Sequence, residues 1–146
     1  MNIIGKLRTD TAYYWDKPFL KAAMAVCALT THADGEVSLI ERYRVDAILD
    51  AMDRLRIHNP HKAVDIMNDY IEGLRTEPER TVEVLQGKIS RYAGDYKSAR
   101  TLLRIAYLVI SADEEVVKSE REAFDQICIT LNISPDEIWE KMSESS

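Results

Sequence analysis

The sequence predicts an all-α protein, a compact bundle of about seven helices formed by two pseudo-symmetric helix–acidic loop–helix halves. Three observations carry this. Apolar residues recur in steps of three and four along nearly the whole chain, the spacing that lines one side of a helix. Only five glycines and four prolines punctuate 146 residues, few enough for long helices to dominate. One stretch also returns later in the chain, with Ala33 and Ala112 opening its two copies.

Taken in order, Pro18 to His32 is Ala-rich and apolar on almost every face, as a central buried helix would be. Between Ser38 and Arg56, Ile40, Tyr43, Ala47, Ile48, Ala51, Met52 and Leu55 form a second stripe. Asn59-Pro60 reads as a cap followed by proline at the first helical position. Ala63, Met67, Ile71 and Leu74 line the helix it opens, and Val82, Leu85, Ile89 and Tyr92 line another before a break at Gly94-Asp95. Leu102 to Ile110 suits a buried strand or a helix by composition alone. The repeat decides for helix. Phe124, Ile127, Cys128 and Leu131 give a further face, and Ser134-Pro135-Asp136-Glu137 starts the last helix with the pattern of a capping box.

The repeat lays Ala33-Asp34-Gly35-Glu36-Val37 over Ala112-Asp113-Glu114-Glu115-Val116, and Glu41, Arg42, Asp46 and Ile48 over Glu120, Arg121, Asp125 and Ile127. About half of the seventeen positions from Ala33 to Leu49 are identical. The apolar helix before each loop agrees in character, Met24, Val26 and Leu29 falling on Leu103, Ile105 and Leu108. The chain therefore divides as one domain over 1–146, with repeats at about 18–56 and 97–132 and linking helices at about 60–92.

Charge narrows the function. A composition 46% hydrophobic and 30% charged is that of a globular chain. The net charge of −6 makes a cation a more natural ligand than a nucleic acid. Cys27 and Cys128 sit in separate apolar stretches and read as buried thiols of a reducing compartment. No secretory signal is visible, and the longest apolar stretch, Ala22 to Leu29, is far short of the roughly 20 residues that span a bilayer. A cytoplasmic location is expected, peripheral to a membrane at most through a partner.

Asp34 to Glu41 looks like the later part of an EF-hand calcium loop, with a carboxylate, a turn glycine, an apolar anchor and a closing glutamate. The earlier ligand positions would be Thr30 and His32, poor partners for a hard cation, and the second copy lacks the glycine. Two readings of the carboxylates stay open. In one they neutralise a divalent cation, and oxygen-only ligands favour calcium, manganese or magnesium. In the other they cap helices and favour positive helix ends. Ser38-x-x-Glu41 is a capping box, whereas Val117 at the matching place has no side-chain acceptor, so Glu120 is expected to have no capping role. Arg42–Asp46 and Arg121–Asp125 are expected to be surface ion pairs one helical turn apart. No phosphate-binding glycine loop, nucleophile elbow or HExxH helix is present, and no catalytic activity is expected.

Phe19 to Ala28 (FLKAAMAVCA), the loop from Ala33 through Glu41, Ile105 to Glu120 (IAYLVISADEEVVKSE) and the closing Leu131 to Glu137 together resemble the TerB family of bacterial tellurite-resistance and stress-response proteins. The similarity covers roughly Tyr14 to Trp139. It implies a compact all-α fold and a metal site at Asp34, Glu41, Asp113 and Glu120, with Glu36 and Glu115 as additional candidates. It also implies a non-catalytic scaffold or sensor role in tellurite or chemical-stress resistance, alongside other stress-response proteins and an inner-membrane partner. The alternative is a protein-interaction module without metal, its acidic loops serving only as caps. The second loop departs from the family in carrying Glu114 where glycine is usual.

Overall fold

A computed structural model describes residues 17–33, 60–111 and 116–144. These form six helices and no strand among the described residues. They match six of the seven expected helices; the segment Ser38 to Arg56 lies outside the described residues.

Helix α1 (Lys17–His32) is the axis of the packing. Every side chain from Ala22 to Ala28 is fully buried, because α2, α3, α4 and α5 all pack on it. Its alanines let these neighbours approach closely. The Thr30 hydroxyl, buried in this apolar setting, donates back to the Val26 carbonyl at 2.9 Å, which satisfies it within its own helix.

Helix α2 (Pro60–Thr76) lays Ala63, Met67, Ile71 and Leu74 on the core. Only Glu77 separates it from α3 (Pro78–Ser90). Pro78 has no backbone N–H and forces the preceding residue out of helical geometry, so Glu77 sits at φ −137° and the chain turns there. The corner is tight. A Cβ on Gly73 would meet Thr81 Oγ1 at 2.8 Å, so the α2–α3 approach depends on the missing side chain. Leu85 and Ile89 of α3 complete this side of the core.

Gly94, at φ +96°, makes the turn into α4 (Tyr96–Ile110), in the region open to glycine at little steric cost. Asp95 caps that helix, accepting from the Ser98 N–H at 3.2 Å and its hydroxyl at 2.8 Å. The ambiguous stretch Leu102 to Ile110 is helical, as the repeat requires. Moving α1 forward by the repeat distance places its first residue on Tyr96, where α4 begins, and the two helices pack together. The repeated apolar helices thus meet in one core.

Helix α5 (Lys118–Thr130) ends at Leu131 and Asn132. Asn132 is left-handed at φ 59°, with the Ile133 N–H bonded to Cys128 O at 3.0 Å and the Asn132 N–H to Ile129 O at 3.1 Å, the Schellman arrangement. Helix α6 (Pro135–Glu144) closes over α4 and α5 through Trp139, which meets Tyr107 and Phe124 edge-on at 5.1 and 5.0 Å. Cys27 and Cys128 are both buried and free, as expected. Burial pushes each thiol up to about 12, Cys128 with a smaller push from Asp125 against a pull from Arg121. No helix among the described residues is long and apolar enough to cross a membrane.

Candidate functional site

The second acidic segment joins α4 to α5. At the end of α4 the Ser111 hydroxyl turns back to Tyr107 O at 2.7 Å, and after residues 112–115 the chain re-enters the described structure at Val116. Glu120 is the third residue of α5, a position usually open to water, yet it is fully buried. Its carboxylate stands at the positive end of the helix, and Oε1 accepts the Val117 N–H at 3.2 Å.

That bond corrects the expectation that Glu120 has no capping role. Val117 has no acceptor on its side chain, but it needs none, because here its own N–H is the donor and the glutamate the acceptor. Glu120 supplies one half of a capping box. The Glu120 and Arg121 N–H groups go to the Val117 carbonyl, both at 3.1 Å. Glu120 therefore combines a local structural role with a buried carboxylate.

Asp34, Glu36, Glu41, Asp113 and Glu115 lie outside the described residues, as do Arg42 and Asp46. Among the described residues no three His, Cys, Asp or Glu side chains gather as a metal-holding group. Of the positions that an EF-hand loop would place before Asp34, Thr30 is committed to the Val26 and Cys27 carbonyls and His32 is exposed. Thr31, between them, is buried with no hydrogen-bond partner for Oγ1 among the described residues.

Arg121 carries more than the surface pair expected of it. Its Nε bonds Asp125 at 3.0 Å and its outer nitrogen bonds Asp136 at 3.0 Å. The guanidinium also lies 4.3 Å from the Trp139 ring centroid, in the range of cation–π attraction. The residue after Glu120 thus ties the start of α5 to α6. The pair with Asp125 is legible at helical spacing, whereas Asp136 and Trp139 are reached only through the fold.

Elsewhere, α1, α3 and α5 leave a groove of about 180 Å³ lined by Leu29, Val82, Ile89, Ala123 and Ile127, with Gln86, Gln126 and Thr130 as its polar members. None of these side chains titrates, so the groove offers shape and apolar contact but no acid–base chemistry.

A family model described as tellurite resistance protein TerB matches residues 20–142, from the first turn of α1 to the last turns of α6. No curated protein and no solved structure matches the chain.

Proposed function

The chain belongs to the TerB family of tellurite-resistance proteins, and from that premise we propose that it is a non-catalytic, metal-linked scaffold or sensor in a bacterial tellurite-resistance or chemical-stress system. The observation that supports the metal link is Glu120. It is a fully buried carboxylate five residues beyond an Asp-Glu-Glu run, at a position repeated in the first half by Glu41. Carboxylates this close in sequence repel one another unless a cation or an arginine offsets them. The donors are all oxygen, which suits calcium, manganese or magnesium. Asp34, Glu41, Asp113 and Glu120 would hold the ion, with Glu36 and Glu115 as further ligands. The ion would supply charge neutralisation that fixes the loops against the helices they open. Other stress-response proteins, including an inner-membrane partner, would then read the ordered surface from a cytoplasmic location.

One observation favours a second reading. Glu120 caps Val117 directly, so the acidic segment has a role that needs no metal, and the domain would then be a protein-interaction module. Thermal melting of the chelator-treated chain distinguishes the two. A saturating cation should raise the midpoint by several degrees, since about 100-fold excess over Kd adds roughly 2.7 kcal/mol. Glu120→Gln keeps an oxygen for the Val117 N–H but removes the charge, so it should abolish that rise at little cost to the metal-free midpoint. An unchanged midpoint with all three cations favours the interaction module.

A further inference from the structure

The described surface separates its charges. Residues 84–111 hold five of the nineteen Lys and Arg, namely Lys88, Arg91, Lys97, Arg100 and Arg104. The same stretch holds one of the twenty-five acids, Asp95, which is engaged as the α4 cap. Lys97, Arg100 and Arg104 share one exposed stripe of α4. Neither Arg100 nor Arg104 has a carboxylate within salt-bridge distance among the described residues. Lys97 and Arg100 also stand towards the positive end of α4, where the helix dipole disfavours cations. Helix stability does not explain this stripe.

Helix α2 carries its counterpart. Asp65, Asp69 and Glu72 are exposed on one stripe, and Asp65 and Asp69 likewise have no cation within salt-bridge distance among the described residues. Glu72 is only loosely held by Arg75, at 3.8 Å. The two stripes do not serve each other within the chain: α2 and α4 each pack chiefly on α1, and no ion pair joins them among the described residues. Their spacings nevertheless agree. Along α4 the cations step by three and then four; along α2, read backwards from Glu72, the acids step by three and then four. Antiparallel helices therefore set Lys97 opposite Glu72, Arg100 opposite Asp69 and Arg104 opposite Asp65, over about 10 Å of helix at 1.5 Å per residue. In parallel orientation the end pairs still coincide and the middle pair is displaced by one residue, about 1.5 Å, so the antiparallel fit is the closer of the two.

We propose that the α4 stripe docks on the α2 stripe of a second copy of this chain. Each copy carries both stripes, so in a twofold dimer with both stripes turned to the partner the pairing is used twice, which closes the assembly. The contact is built from exposed ion pairs, each weak on its own, so the association is reversible and sensitive to salt.

Sedimentation of the full chain tests this at about 20 mM and about 500 mM salt, where the screening length falls severalfold. The wild type should show concentration-dependent dimer at low salt and monomer at high salt. Arg100→Glu/Arg104→Glu and Asp65→Lys/Asp69→Lys should each be monomeric at low salt with unchanged circular dichroism. An equimolar mixture of the two should recover the dimer, because each mutated stripe then faces its opposite. A monomeric wild type at low salt overturns the proposal, as does a dimer that ignores both reversals. If the wild type stays monomeric while the Arg100→Glu/Arg104→Glu change abolishes binding to phosphatidylglycerol vesicles, the stripe serves a membrane and the proposal fails.

Discussion

At the residue scale, burial sets the chemistry of the two thiols. An ordinary thiol loses its proton near 9, and burial holds Cys27 and Cys128 protonated up to about 12. The folded state therefore keeps protons that the unfolded chain releases. This contribution to stability is fully present below pH 9 and is lost as pH rises from 9 towards 12. The slope is about 1.4 kcal/mol per pH unit for each thiol. Tyr70, raised by its own burial and by Asp69, adds to the decline at higher pH. Urea unfolding at stepped alkaline pH should show a shallower fall in a Cys27→Ala/Cys128→Ala variant, and identical slopes would show that the thiols do not titrate as described. Arg121 presents the opposite case, a half-buried charge made useful by its contacts. Asp136 is 93% exposed, so its pair with Arg121 is worth little, while the stacking on Trp139 is worth about 0.5–1 kcal/mol. Arg121→Ala should cost about 1–2 kcal/mol by chemical denaturation and Asp136→Ala close to nothing. Equal losses would place the energy in the ion pair instead.

At the element scale, the boundaries follow from a few residues whose roles differ in legibility. Pro60 announces a helix start in the sequence, and it is found, while the start at Pro78 lies four residues ahead of the stripe that opens at Val82. The start of α4 is less evident, because the apolar stripe begins at Leu102 while the helix begins six residues earlier at Tyr96. The Asp95-x-x-Ser98 pair is the local signal for it, and it acts through side-chain bonds rather than apolar spacing. The capping role of Glu120 is concealed for a similar reason, since Val117 has no side-chain acceptor and the bond runs instead from its N–H to the glutamate. The α2–α3 corner is invisible in sequence, since nothing local marks Gly73 as touching Thr81. Gly73→Ala should gain up to about 1 kcal/mol of helix propensity yet lose more to the clash, since a β-branched threonine is stiff at χ1. In a Thr81→Ala background the same change should become stabilising. Additive effects in that thermal-denaturation cycle would mean the corner has room to spare.

At the scale of the whole molecule, the repeat is the most informative feature of the chain. It assigns α4 as a helix against its strand-like composition, and it brings α1 and α4 together at the centre. Apolar spacing gives the all-α class, and the apolar stretches around Cys27 and Cys128 give the buried thiols. The convergence of the acidic segments is a different matter, because it depends on how separate loops meet, and of the six carboxylates only Glu120 falls within the described residues. Membership of the TerB family makes the question of a cation central. It is answered most directly by calorimetric titration of the chelator-treated chain with calcium, then manganese and magnesium, beside an Asp34→Asn/Asp113→Asn variant. Saturable binding to at least one cation, lost in the variant, is the result expected of a metal-linked protein. Flat traces with all three cations, or binding that survives unchanged in the variant, would contradict it.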